Sequence, residues 1–223
     1  MYGLDDLDEE LVVLGFESTD RSTEGDLTRA LEICESHGGR CPDGPDHYGP
    51  GFGETRPEDS DVARWGAAFQ MGSSGSAAIP LCVLSGTVET AVTWDKFEDF
   101  HDAMIANMTE AVERECGMGH VSTRFTHVYP DGPAPYYTFM APGDRDPDRR
   151  IEQWRAVKQA GLDTVMEYDL TPTHHHAVGR EHKDWYAQQI PENYGDTLRA
   201  IKDVLDPAGI MNPGVLVDAP ERR

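Results

Sequence analysis

The stretch VSTRFTHVYPDGPAPYYTFMAP, residues 121–142, decides the fold. Two runs rich in β-branched and aromatic residues, 121–129 and 135–142, flank the pentapeptide PDGPA, whose Asp, Gly and prolines favour a turn. The pattern predicts an antiparallel hairpin. Strand alternation places Arg124, Thr126 and Val128 on one face and Phe125, His127 and Tyr129 on the other, and it separates Tyr136 from Tyr137.

Upstream of the hairpin, GTVETAVTW (86–94) alternates as a further strand, and DKFEDFHDAMIANMTEAVEREC (95–116) has a helical apolar stripe: Phe97, Phe100, Met104, Ile105, Met108, Ala111 and Val112. Asp95 caps that helix and Gly117 follows its end. Downstream, helices are expected over about 147–166, through Ile151, Trp154, Val157 and Val165, and over about 191–205, stopping at Asp206–Pro207. Towards the amino terminus, LVVLGFE (11–17) has strand length, a helix capped by Ser22 or Thr23 runs to about 37 and ends at Gly38–Gly39, and 40–62 is a Gly-, Pro- and Asp-rich loop. The order of elements predicts an α+β fold: a largely antiparallel sheet with helices on one face, with βα units that suit a ferredoxin-like arrangement.

At 223 residues and 38% hydrophobic, the chain can bury a sizeable core. No run approaches the roughly 18 apolar residues of a membrane span, and the start MYGLDDLDEE is acidic where a signal peptide is basic and then apolar, so a cytoplasmic location is expected. Cys34, Cys41, Cys82 and Cys116 are far apart and suggest neither a zinc ribbon nor a disulfide framework. Acidic residues number 41 against 19 basic, a net charge of −22, which suits a high-salt cytoplasm where self-repulsion is screened. Nucleic acid and anionic membranes, which need a basic face, are excluded as expected partners.

Three stretches carry chemistry. In TPTHHHAVGR (171–180), an extended backbone would turn His174 and His176 to one side and His175 to the other. Imidazoles there can hold an anion or move protons near neutral pH; a histidine run can also simply decorate a loop. In the hairpin, Tyr136 can act as acid or base only with a lowered pKa or a proton relay, and strand aromatics usually serve packing. In DPAGIMNPGVL (206–216), Gly209 and Gly214 flank Asn212 in a turn-rich tail.

GTVETAVTWDKF (86–97), RFTHVYPDGPAPYYTF (124–139), THHHAVGREHKDWY (173–186) and LDPAGIMNPGVL (205–216) together resemble, in this order, the carboxy-terminal half of FAD-linked oxidases of the vanillyl-alcohol-oxidase type, in particular the alkyldihydroxyacetonephosphate synthase branch. The resemblance implies FAD as cofactor and a cap domain over the isoalloxazine ring, here residues 1–189. It also implies a closing segment, 190–223, that returns to an FAD-binding domain outside this chain, as a separate domain or subunit. It implies that Tyr136 is the acid/base tyrosine, that His174, His175 and His176 are the active-site histidines, with His175 also at the cofactor, that Arg124 is a substrate-side arginine, and that Asn212 lies in the cofactor-side tail.

Two departures bear on activity. No glycine-rich pyrophosphate cradle is found, so the chain is expected not to hold FAD tightly alone. The family's aromatic–x–Arg–Asp stretch corresponds to GSSGSAAIP (72–80), with Gly75 and Ser76 where the arginine would stand. The expected function is the cap half of a flavin oxidoreductase acting on a small molecule, with homo-oligomerisation open. The alternatives are a fragment of a glycolate- or D-lactate-type dehydrogenase, a non-catalytic interaction module, and a metal-binding protein using His174 and His176 with His182 or His120.

Overall fold

A computed structural model describes residues 12–41, 44–45, 67 and 78–217. The chain divides into two compact units, Met1–Ser74 and Gly75–Arg223. In the first, helix α1 spans Glu24–Ser36, close to its predicted bounds. The strand expected over 11–17 is not formed: residues 12–17 carry no ladder pairing and are exposed. A short apolar run becomes a strand only when another strand supplies hydrogen bonds, and none does so among the described residues. Gly75 and Ser76 lie outside the described residues.

The second unit holds the sheet. After a single 3₁₀ turn, Ile79–Leu81, come β1 (Val83–Glu89), α2 (Trp94–Cys116), β2 (His120–Tyr129), β3 (Gly132–Pro142), α3 (Pro147–Glu167), α4 (Lys183–Gln189) and α5 (Glu192–Leu205). The three strands are antiparallel in the order β1-β3-β2. This is the α+β arrangement read from the sequence, with helices on one face. Leu84 and Val88 of β1 and Tyr137, Phe139 and Ala141 of β3 point to that face and bury against Phe100, Met104, Met108, Ala111 and Val112 of α2 and Val157, Leu162 and Val165 of α3. Gly161 lets α3 approach the sheet, since a Cβ there would stand 2.8 Å from Val88 Cγ2.

Several element ends differ from expectation. β1 begins earlier than 86 and its regular ladder stops at Glu89, yet the amides of Thr90, Val92 and Trp94 still bond the carbonyls of Pro135, Pro133 and Asp131, so the predicted 86–94 segment does follow β3 to the turn. Thr93, not Asp95, is the cap residue of α2, which starts at Trp94. The hairpin turn is two residues, Pro130–Asp131, rather than five: Tyr129 pairs with Gly132 and β3 takes in Gly132, Pro133 and Ala134. The prolines have no N–H to return to that segment, so beyond Glu89 their carbonyls only accept, from Thr90 N and Val92 N, and the reciprocal ladder ends there. The short helix α4 carries too few turns to show a period.

One irregularity decides the site. Phe125 pairs with Pro135 and His127 with Ala134, so Thr126 is the extra residue of a β-bulge. Its hydroxyl donates to Ala134 O at 3.2 Å. Beyond a bulge the alternation restarts out of phase. Phe125 stays on the helix side, edge-on to Trp94 and Phe97, whereas His127 and Tyr129 move to the opposite face with Arg124 and Tyr136. The expectation that Phe125, His127 and Tyr129 share a face is thereby corrected.

Three side chains of α3 cover the outer edge of β1 and the 3₁₀ turn before it. Trp154 Nε1 donates to Ser85 O at 3.1 Å, Arg150 donates to Ile79 O at 2.8 Å, and the buried Lys158 ammonium bonds Thr87 O. An edge so occupied offers no free ladder to another chain.

Candidate functional site

Glu89 is the last residue of β1, directly opposite Tyr136 of β3, and its side chain lies on the face away from the helices. It is 1% exposed. Its Oε1 accepts the backbone N–H groups of His174, His175 and His176 at 2.9, 2.7 and 2.7 Å and the Thr173 hydroxyl at 3.0 Å. Three successive amides can converge on one oxygen only if the backbone curls, so the triple histidine is a tight turn and not the extended segment expected. The alternate facing of His174/His176 and His175 is therefore overturned: all three rings crowd together, with centroids 5.5 Å apart for 174–175 and 4.5 Å for 175–176.

The turn is fastened on both sides. Before it, Thr90 Oγ1 donates to Thr171 O at 2.7 Å. After it, Ala177 adopts a left-handed φ of 63°, an unfavourable conformation for a residue with a Cβ. The buried His182 ring holds that reversal, Nδ1 lying 3.1 Å from Ala177 O and 3.2 Å from Val178 O. Glu181 next to it pairs with Lys158.

Around the turn stand the residues re-aimed by the bulge. Tyr129 Oη is 2.9 Å from His174 Nε2. The His127 ring lies 5.0 Å from His174 and 5.5 Å from His175. Tyr136, half-buried, stacks on His175 at 5.9 Å and 25° and meets His176 edge-on at 5.1 Å. The Arg124 guanidinium sits 4.6 Å from the centre of the Tyr136 ring. The structure thus brings Arg124, Tyr136, His174, His175 and His176 together. Asn212 is elsewhere: it is exposed in the tail, its carbonyl accepts from Val215 N, and its side chain enters none of the contacts that define the cluster. One hollow of about 310 Å³ is lined by Tyr129 and Lys96, and another of about 440 Å³ by Met140 and His120.

Sequence reasoning missed Glu89, Tyr129, His127 and Lys158. Glu89 stands within the quoted GTVETAVTW, where alternation puts it on the face opposite Val88, so it reads as an ordinary solvent-side carboxylate and the sequence carries no signal of its burial. Two groups here have the donor atoms and spacing of a metal site, His127–His174–His175 and Glu89–His175–His176, each with ligand atoms within 4.8 Å of one another. His120 belongs to neither group, and His182 is turned into the loop behind.

The charge states follow from burial. Desolvation pushes the Glu89 carboxyl up, but the three backbone N–H bonds outweigh it and leave it below the ordinary 4.5. Burial holds His176 and His182 below the ordinary 6.5; Glu89 opposes this at His176, and the Lys158 ammonium adds to it at His182. Burial also lowers Lys158, against the pull of Glu181. The sign is the same for the two histidines and the carboxylate: the unfolded chain takes up protons at a higher pH than the folded one, so stability is lost on acidification. Urea midpoints measured downward from neutral pH should fall first through and below 6.5, from His176 and His182, and again below 4.5, from Glu89. A profile flat across both windows would contradict these assignments.

The model of the family "FAD linked oxidases, C-terminal domain" matches residues 2–216. The chain belongs to this family. FAD is the cofactor that names these FAD-linked oxidases, and their carboxy-terminal domain implies an FAD-binding domain as its partner. Alkyldihydroxyacetonephosphate synthase of Trypanosoma brucei brucei is 24% identical over 210 residues, 94% of this chain and 32% of that protein. The synthase of Caenorhabditis elegans is 30% identical over 142 residues, 61% of this chain and 23% of its own length. A solved alkyldihydroxyacetonephosphate synthase has a TM-score of 0.43 at 15% identity, covering 59% of this chain and 20% of that one. This FAD-linked oxidase domain therefore spans a third or less of the relatives it matches.

Proposed function

We propose that this chain is the substrate-facing half of an FAD-dependent oxidoreductase similar to alkyldihydroxyacetonephosphate synthase. The observation that carries the reading is the convergence of Arg124, Tyr136 and His174–His176 on the one sheet face that the helices leave open. The donor set suits a flavin edge. Imidazole and phenol groups face outward, while the one carboxylate of the turn is buried with Oε1 saturated, so that oxygen is not free to oppose an electron-rich ring. FAD, when bound, supplies the electron chemistry. His175 would be the residue of this face that meets it; Arg124 binds an anionic group of the substrate, and Tyr136 moves a proton with the histidines beside it.

The test is reconstitution with an FAD-binding partner domain. The purified pair should retain flavin absorbance and turn over an acyl dihydroxyacetone phosphate, with 2-hydroxy acids assayed beside it. Tyr136→Phe should lower kcat by about 10²-fold or more, the scale of a lost general acid or base, while flavin is retained. A pair that never holds flavin overturns the proposal. Metal binding is a second reading, favoured by the His127–His174–His175 grouping. Elemental analysis of the purified chain, with His127→Ala as control, separates it from the first.

A further inference from the structure

The three imidazoles of the turn are not equivalent. His174 has both nitrogens engaged, Nε2 at 2.9 Å from Tyr129 Oη and Nδ1 at 3.3 Å from His175 Nδ1. His176 Nδ1 stands 3.8 Å from Glu89 Oε1, an oxygen already accepting four donors. His175 Nδ1 lies against Glu89 Oε2, a fully buried oxygen with no aligned hydrogen-bond donor of its own.

We propose that His175 is the proton acceptor of this face, presenting a bare Nε2, and that Glu89 is the residue that positions it by keeping the ring proton on Nδ1. The proposal rests on the functional reading above and deepens it. A buried carboxylate oxygen faces His175 Nδ1 in a low-dielectric setting, where a lone pair on that nitrogen would be repelled and an N–H attracted. His175 therefore carries its proton on Nδ1. His174 Nδ1, 3.3 Å from the same nitrogen, must then accept rather than donate, which places the His174 proton on Nε2, donated to Tyr129 Oη. Of the two linked rings, only His175 keeps an uncommitted lone pair, on a side chain that is 37% exposed and stacked beside Tyr136. When Nε2 takes a proton from a substrate O–H or C–H, the electron pair of the broken bond stays on the substrate atom. The imidazolium formed is balanced by Glu89, and the proton leaves from the same nitrogen to product or water. A carboxylate that holds an imidazole in one tautomer is a known way to make the far nitrogen the base.

Long-range ¹H–¹⁵N correlation spectra of the full 223-residue chain, taken above the imidazole titration range, test this without flavin or substrate. The His175 resonance is identified by its loss in His175→Gln. The expected result is Nδ1 protonated and Nε2 bare on His175, and the reverse on His174. In Glu89→Gln the carboxamide oxygen can still accept the backbone donors while its –NH₂ faces His175, so that ring should switch to Nε2–H. If that variant fails to fold, Tyr129→Phe decides: His175 should keep Nδ1–H because Glu89 is intact. An Nε2–H tautomer in the unaltered chain, no switch in folded Glu89→Gln, or a His175 switch in Tyr129→Phe would each overturn the proposal. A merely structural Glu89 would not move the tautomer, and failure to bind FAD would leave the result readable.

Discussion

Replacing Glu89 with alanine is expected to cost the second unit on the order of 4 kcal/mol and to release the histidine turn, because three part-buried backbone N–H groups and the Thr173 hydroxyl lose their common acceptor at once. Each buried donor left unpaired costs about 1–3 kcal/mol, and curled backbone offers these amides no substitute carbonyl. Glu89→Gln keeps one acceptor oxygen in place and should lose roughly 1–2 kcal/mol. Urea denaturation compares the two. Ring contacts provide a second readout, since the 5.1 Å edge-on approach of Tyr136 to His176 depends on the turn and should vanish from spectra of the alanine variant alone. Equal stability of the two variants would mean that Oε1 does not organise the turn.

What could be read from the sequence divides along a physical line. Periodicity over long segments was legible: the α2 stripe Phe100, Met104, Met108, Ala111 and Val112 is the helix-side core, and the helix expected over about 147–166 is α3, burying Val157 and Val165. Local patterns of period two failed where one residue changed the phase. The bulge at Thr126 carries His127 and Tyr129 across the sheet, and no residue type in THVY announces it. The chemistry-bearing trio was visible as residue types, but its geometry was not, because that geometry is imposed by Glu89, 85 positions upstream of His174. LVVLGFE shows the converse: strand composition at 12–17 without a ladder. A β-propensity describes fitness for a sheet and cannot supply the neighbour.

Gly132→Ala is expected to be nearly as damaging as loss of Glu89, at about 3 kcal/mol, the upper end for overpacking a rigid site. A Cβ at 132 would stand 1.9 Å from Val92 O and 2.8 Å from Thr93 Cα, and all of these are backbone atoms with no rotamer to yield. The segment involved is pinned: Val92 N bonds Pro133 O and Trp94 N bonds Asp131 O on either side of the contact. Relief therefore requires the β1 continuation to part from the hairpin turn, and that turn carries Tyr129, the hydrogen-bond partner of His174. Gly161→Ala provides the contrast. Its nearest atoms are Val88 Cγ2 at 2.8 Å and Met108 Sδ at 3.2 Å, side chains that can shift, and alanine favours the helix, so about 1 kcal/mol or less is expected. Thermal unfolding should rank Gly132→Ala well below Gly161→Ala, and only the former should disturb the His174–Tyr129 contact. The reverse order would show that the approach of Val92 to the hairpin, which sets where Tyr129 stands, is slack rather than rigid.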